Sequence, residues 1–417
     1  MILETSEWIT GIVEEHFEEL QALWRCRLNS IDSPRWFEAD LRKLDARIAS
    51  HADALTLSAE HTFAMFEENL QGEREQVFSA CFPLAYVNTP SARKLIFSKL
   101  ESSSALALDG FADALCHAEP FLRWTDDHKL IQSAPISIAG VLTQALAFQG
   151  LLQSEEDVVK QLLHSDNRDE RLRGWNILSF LPHSQLRPEN VKIAWADKDP
   201  RVGIAATQAA IWTKQPWFAA YCRDECCSQS TDKRWAAKAL GILGESSDKE
   251  LIKSLIEDES LGLKRLELAS SFGHPSNIPL LCEYMRSQDK KIVVKATSEF
   301  MRMTGFDVES ETLTKVNHSE LELTNEFDEA FEEEAFMPDV DRANRIWQDR
   351  QSEWSNYVYL HRGVGVERER VDVGNGNIDL LAQLESAMRA KYFGFSKTTH
   401  ASRIASRSRW ILSTTDA

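Results

Sequence analysis

The 417-residue sequence predicts an all-α protein: a repeat solenoid of helix pairs, preceded by an N-terminal helical hairpin and followed by an acidic segment that leads to a mixed C-terminal extension. Three observations predict it. Proline (12) and glycine (17) are scarce, as suits long runs of uninterrupted helix. Arg234-Trp-Ala-Ala-Lys-Ala-Leu-Gly-Ile-Leu-Gly244 reads as a helix built for close packing, with alanines and a glycine where a neighbour approaches and leucine and isoleucine in the seam. Asp199 to Trp212 has the same build, and Arg171 to Leu181, Leu261 to Gly273 and Lys291 to Gly305 follow it more loosely. Finally, the acidic turn residues Asp166, Asp199, Asp232, Asp258 and Asp289 recur at intervals of 33, 33, 26 and 31, a spacing suited to helix-pair repeats.

Residues 1–56 are the hairpin. Val13, Phe17, Leu20 and Trp24 share one helical face, Ser33-Pro34 is a cap and first-turn pair, and Phe37, Leu41, Leu44 and Ile48 repeat the spacing. A short link makes the two helices antiparallel neighbours. His16, beside the first apolar face, is expected to be packed or half-exposed and not a ligand. Residues 57–154 keep helical periodicity without a crisp repeat, with helices expected over Val77 to Tyr86, Ala92 to Leu100, Ala105 to Cys116 and Ile136 to Leu152.

Residues 155–305 carry the readable repeat. Its interval is shorter than the roughly 40–47 residues of long HEAT units and close to TPR or ankyrin periods. The ankyrin Thr-Pro-Leu-His signature and the TPR tryptophan-glycine-tyrosine pattern are both missing. The Arg-x-Ala-Ala-x-Ala-Leu-Gly-x-Leu-Gly form resembles the short HEAT-like repeats first noted in phycobilisome lyases. A single pair of this kind cannot bury its own apolar face, so stacking is expected to produce a HEAT-like helical repeat solenoid.

Composition changes at the acidic segment, residues 306–341. Between Asp307 and Asp341, thirteen acidic residues face the single base Lys315, a balance of −12 within a chain whose net charge is −18. Such a run is commonly a solvated linker. The interleaved Leu321, Leu323, Phe327, Phe331 and Phe336 favour a docking segment, because charge steers encounter while aromatics supply buried area. The candidate protein-binding residues here are Glu326, Phe327, Asp328, Glu329, Phe331, Glu332, Glu333, Glu334, Asp339 and Asp341. In the extension, residues 342–417, a helix is expected over Asp341 to Tyr359 and a hairpin-like stretch from Gly363 to Asn377 with a turn at Gly374-Asn-Gly-Asn377. A second helix is expected over Ile378 to Tyr392, followed by a basic tail.

Of the twelve tryptophans, Trp175, Trp195, Trp212, Trp217 and Trp235 crowd the repeat region. Trp175 and Trp235 lie inside repeat helices and are expected to pack between layers. Trp195, Trp212 and Trp217 sit near helix ends and complete the candidate interface as anchors.

The exclusions are as informative. A net charge of −18 opposes a grip on nucleic acid phosphates, which needs a basic stripe. No run approaches the roughly 18 apolar residues of a membrane span, and the N-terminus has acids where a signal peptide is basic, so a cytoplasmic location is expected. Seven scattered cysteines make no disulfide framework, and the cluster Cys222, Cys226, Cys227 lacks further ligands at metal-binding spacing. Gly-x-Ser-x-Gly, His-Glu-x-x-His and P-loop patterns are absent, and Gly363-Val-Gly365 lacks the remainder of a dinucleotide fingerprint. The reading is therefore of a binder without catalytic residues, cofactor or metal.

Ile12 to Trp24, Ala52-Asp-Ala-Leu-Thr-Leu57, the central repeats, Met303-Thr-Gly-Phe-Asp-Val308, the acidic stretch and Pro338-Asp-Val-Asp-Arg-Ala-Asn-Arg-Ile-Trp347 resemble, in this order, an uncharacterised bacterial family of HEAT-like repeat proteins. The resemblance spans most of residues 8 to 350, and the C-terminal extension fits it less well. Genes of that family tend to lie beside type VI secretion components, often next to a PAAR-tipped toxin. The resemblance thus implies an immunity protein that binds and neutralises a cognate effector toxin with a basic surface, such as a nuclease. An adaptor or chaperone that loads the effector is the alternative. Repeat enzymes of this fold, DNA glycosylases and bilin lyases, are disfavoured by the acidic charge and by the lack of a chromophore-binding signature.

Overall fold

The structure, a computed structural model, describes residues 2–30, 38–118, 131–152, 157–181, 186–213, 215–228, 233–317 and 332–366. Most of these are helical. The chain divides into two compact units between residues 185 and 186.

The first unit begins with helices α1 (Ile2–Ser30) and α2 (Glu38–Leu57). Val13, Phe17, Leu20, Trp24, Leu44 and Ile48 are all buried, as their spacing requires. Three cross-links set the helix direction: His16 meets His51, Glu19 meets Arg47 and Asp45 meets Arg27, so partner numbers fall as α1 rises and the pair is antiparallel. Helices α3 (Ala59–Asn69), α4 (Arg74–Val87), α5 (Pro90–Leu100), α6 (Ala105–His117), α7 (Ile136–Phe148), α8 (Asp157–Leu163) and α9 (Arg168–Phe180) follow. Thr89 and Ser104 cap α5 and α6 through side-chain oxygens, each accepting a bond from a backbone N–H in the first turn. Helix α4 is buried continuously from Val77 to Ala85 because α1, α2, α3, α5 and α6 all pack against it.

The centre of this unit is a run of rings. Trp24 stacks on Phe78 at 3.7 Å and meets His117 edge-on, while His117 meets Phe148 and Phe148 meets Phe180. Polar groups brought inside are paired. Arg74 binds Asp113 through two hydrogen bonds of 2.7 and 2.9 Å, and the Trp24 indole N–H donates to the same carboxylate. Arg173, buried on α9, reaches Asp109 at 2.7 Å and Gln144 at 2.9 Å, tying α9 to α6 and α7.

The Nδ1 atoms of His16 and His51 lie 2.9 Å apart, so one must donate and the other accept, and the two rings cannot both be doubly protonated while the contact holds. Burial, and then the neighbouring His16, push the His51 pKa below its ordinary 6.5. Between the lowered value and 6.5 the unfolded chain binds more protons than the folded one, so this contribution is complete above about pH 6.5 and is lost as pH falls. Urea midpoints are therefore expected to fall from pH 7.5 to pH 5.5, and the fall to shrink in His51→Gln. An identical fall in the variant would remove this pair as a cause.

The second unit contains α10 (Pro188–Trp195), α11 (Pro200–Trp212), α12 (Phe218–Cys227), α13 (Lys233–Leu243), α14 (Lys249–Glu257), α15 (Glu267–Phe272), α16 (Ile278–Tyr284) and α17 (Lys290–Thr304). Successive helices pair, and the second member of each pair packs on the second member of the next: α11 on α13, α13 on α15 and α15 on α17. Close approach is visible at Gly203, where an added Cβ would stand 2.9 Å from the Trp235 indole. The recurring acidic turn residues are caps. Asp199, Asp258 and Asp289 each accept a backbone N–H two residues on, at 2.9, 3.0 and 2.9 Å. In the first unit that task falls to Asn167 and not to Asp166. Asp232 lies outside the described residues.

After α17 the chain departs from an all-helical pattern. Strands β1 (Glu309–Asn317) and β2 (Glu332–Pro338) form an antiparallel ribbon that packs on α17. Helix α18 (Val340–Trp354) packs on α16, with Trp354 buried beside Phe306 and Trp347. A two-residue turn, Arg362-Gly363, joins β3 (Tyr359–His361) to β4 (Val364–Val366), so this hairpin starts before the expected stretch. Its backbone satisfies carbonyls left over at helix C-termini. Leu360 N–H donates to Gly273 O, Arg362 N–H to Arg302 O, Gly363 N–H to Met303 O, and the Tyr359 hydroxyl to Gly244 O. Gly305 ends α17 at φ +73°, where a Cβ would stand 2.7 Å from Arg362 O, so only glycine lets the hairpin approach. The turn expected at Gly374 to Asn377, the helix expected at Ile378 to Tyr392 and the basic tail lie outside the described residues.

Candidate functional site

The acidic segment supplies its own scaffold. The β-branched residues Thr312, Thr314 and Val316 recur at every second position of β1, the composition and spacing that favour a strand. In the ribbon, Thr314 pairs with Ala335 and Leu313 pairs with Phe336. Thr314 is buried, whereas Leu313 and Phe336 are 50% and 39% exposed, so the ribbon turns an apolar cross-strand pair outward. Glu311 and Glu334 are exposed on the same ribbon, and Asp307 is exposed just before it. Apolar area ringed by carboxylates is what a protein-docking patch for a basic surface requires.

The residues read from sequence divide into groups. Glu326, Phe327, Asp328, Glu329 and Phe331 lie outside the described residues. Glu332, Glu333 and Glu334 are on β2, opposite Asn317, Val316 and Lys315. Asp339 and Asp341 open α18. Asp339 is its N-cap, accepting the Arg342 N–H at 2.8 Å with Arg345 at 3.9 Å, while Asp341 is exposed in the first turn, where the helix dipole favours an acid. Asp339 therefore has a local structural duty. Leu313 was not among the candidates, and the signal that points to it is the alternation of β1.

Of the tryptophans, Trp195 is corrected. Expected near a surface, it is only 3% exposed. Its indole donates to Thr207 Oγ1 at 2.9 Å and stacks on Tyr221, and its carbonyl accepts the Trp235 indole N–H at 3.2 Å. It packs α10 against α11, α12 and α13 and offers no anchor. Trp217 is half-buried, donating to Leu186 O at 3.1 Å with its ring edge-on to Phe218 and Tyr221. Trp212 ends α11, and its side chain lies outside the described residues. Trp175 and Trp235 are buried between helices.

Cys222 and Cys226 are buried and Cys227 exposed, all as free thiols. Burial raises the Cys226 thiol to about 12, which keeps it protonated and unreactive at neutral pH. No group of three or more metal-capable side chains occurs among the described residues. None of the described helices is long and apolar enough to cross a membrane.

No family model and no curated protein sequence matches this chain. Among solved structures it is similar to a crystal structure described as an engineered protein, at 15% identity and a TM-score of 0.27, covering 68% of this chain and 88% of that one.

Proposed function

We propose that this chain is a non-catalytic protein-binding member of the helical-repeat class, a HEAT-like solenoid whose acidic ribbon docks on a basic surface of a protein partner. The observation that carries the reading is the outward Leu313–Phe336 pair on a ribbon bearing exposed carboxylates. The partner proposed is a type VI secretion effector, bound and neutralised in the cytoplasm, as the family resemblance implies. The physical division of labour is ordinary for such an interface. Carboxylates raise the association rate and make it salt-dependent, while the apolar pair sets the dissociation rate once water is excluded.

The test uses the full chain and the effector encoded beside its gene. Tight binding is expected, with an association rate that falls steeply as salt rises, together with rescue of cells expressing the toxin. Leu313→Ser with Phe336→Ser should weaken binding by roughly tenfold or more through faster dissociation, whereas Glu311→Gln with Glu334→Gln should act mainly on association. Binding unaltered by both pairs would overturn the ribbon as the docking site. An effector that is bound yet fully active would replace inhibition with a loading adaptor.

A further inference from the structure

The α1–α2 hairpin carries a pair of rings that the proposed docking ribbon does not use. His16 on α1 and His51 on α2, 35 positions apart in sequence, bring their Nδ1 atoms to 2.9 Å, with ring centroids 5.0 Å apart and planes crossing at 69°. Both residues are half-buried, so water and small ions reach the pair. Among the described residues, the hydrogen-bond partner of each ring is the other ring. The expectation that His16 is no ligand belongs to a sequence in which no second ring stands near it; the fold supplies one.

The backbones that carry the two rings are fixed independently of them. Val13, Phe17 and Leu20 flank His16 on α1, Ile48, Ala52 and Leu55 flank His51 on α2, and all six are buried. Arg27 and Asp45 add a buried ion pair of 2.8 Å between the same two helices. The rings therefore converge before any ion arrives, which lowers the entropy lost on binding. Carboxylates stand close by. Glu19 and Glu15 are near enough for their charge to act on the His51 ring, opposed by Arg47. Glu19 meets Arg47 at 3.3 Å, in a pair whose side chains are 45% and 61% exposed. An ion pair so open to water contributes little, so the Glu19 carboxylate can exchange Arg47 for a metal ion.

We propose that His16 and His51 bind one zinc ion through their Nδ1 atoms, with Glu19 turning from Arg47 to become the third ligand and water filling the fourth position. Two tetrahedral ligands with bonds of about 2.0–2.1 Å stand roughly 3.3 Å apart, so the two nitrogens need to part by only about 0.4 Å to admit the ion. The exchange balances without a net proton. The ring that donates its Nδ1–H carries that proton on Nε2 once the ion is bound, moved there through water, and the accepting ring already has its proton on Nε2. Two imidazoles and one carboxylate form a donor set that suits zinc, whereas magnesium and calcium prefer oxygen ligands throughout.

Isothermal titration of the full, reduced chain with zinc chloride tests this, with magnesium chloride as the control. Zinc held elsewhere, at exposed carboxylates or Cys227, is common to every variant, so the difference between variants is what counts. His16→Gln and His51→Gln should each lose one zinc ion per chain, whereas His164→Gln, exposed just past α8, should lose none. Glu19→Gln should weaken that ion severalfold. If a histidine variant unfolds, the unaltered chain still decides. Zinc, and not magnesium, should slow the modification of His16 and His51 by diethyl pyrocarbonate severalfold relative to His164, as read by mass spectrometry. Equal zinc binding by the chain and both histidine variants, or modification of the two rings unchanged by zinc, would overturn the site and leave a hydrogen-bonded pair. Equal protection by magnesium would overturn ligation by the rings. Unchanged zinc binding in Glu19→Gln would overturn the third ligand.

Discussion

Trp24→Ala is expected to destabilise the first unit by about 3–5 kcal/mol. The indole is buried at the crossing of α1 with α4 and α6, stacked on Phe78 and edge-on to His117, and its removal leaves a cavity that rings on three helices cannot fill together. The hydrogen bond from its N–H to Asp113 is the smaller part of the loss, because Arg74 keeps that carboxylate paired through two bonds of its own. Trp24→Phe separates the contributions. It retains much of the stack while removing the N–H donor and part of the ring, so a loss of only about 1–2 kcal/mol is expected. Urea unfolding followed by circular dichroism measures both. A loss below about 1 kcal/mol for the alanine variant would mean that the rings repack freely and that the aromatic run is not the centre of the core.

Glu299→Ala is the second large effect, at about 3 kcal/mol in the second unit. Glu299 is fully buried on α17, with Lys295 at 3.0 Å, Arg302 at 3.7 Å and the Ser270 hydroxyl donating to its carboxylate. Burial by itself would depress the Lys295 pKa, but Glu299 and Glu267 reverse this and hold it above its ordinary value. Glu267 is the mirror case: burial would raise its pKa, and Lys295 brings it below normal. Deleting Glu299 leaves the ammonium with one carboxylate and takes from the Ser270 hydroxyl its charged acceptor, though that hydroxyl also reaches Glu267 O at 3.2 Å. The cost falls at the low end of the range for broken buried pairs because Lys295 keeps Glu267 and its side chain is 22% exposed. Combining Glu299→Leu with Lys295→Met should recover part of the loss, since apolar groups of similar size replace the buried pair while Glu267, which loses Lys295, keeps 30% of its side chain exposed to water. A double variant no more stable than Glu299→Ala would show that the network, and not the unpaired charge, carries the energy.

The helices were legible because their signals are local. Val13, Phe17, Leu20 and Trp24 share a face through a spacing that can be counted, and Asp199, Asp258 and Asp289 cap through bonds only two residues long. The ribbon was hidden by its own charge. Counting acids over 307–341 describes a solvated run, whereas the alternation of Thr312, Thr314 and Val316 describes a strand, and the two signals occupy the same residues. Trp195 misled for a related reason. A position near a helix end marks exposure only when no other helix covers that end, and here Tyr221 and Phe218 of α12 lie against the indole.

The sequence by itself determined which stretches coil, where several of them start and which faces are apolar, since each depends on residues within one or two turns of each other. The tertiary structure alone decided that the C-terminal hairpin closes the ends of three helices through Gly244, Gly273, Arg302 and Met303, and that Leu313 and Phe336 face outward together. Those outcomes are set by contacts between residues far apart along the chain, where packing and the pairing of buried polar groups select one arrangement among the many that local periodicity allows.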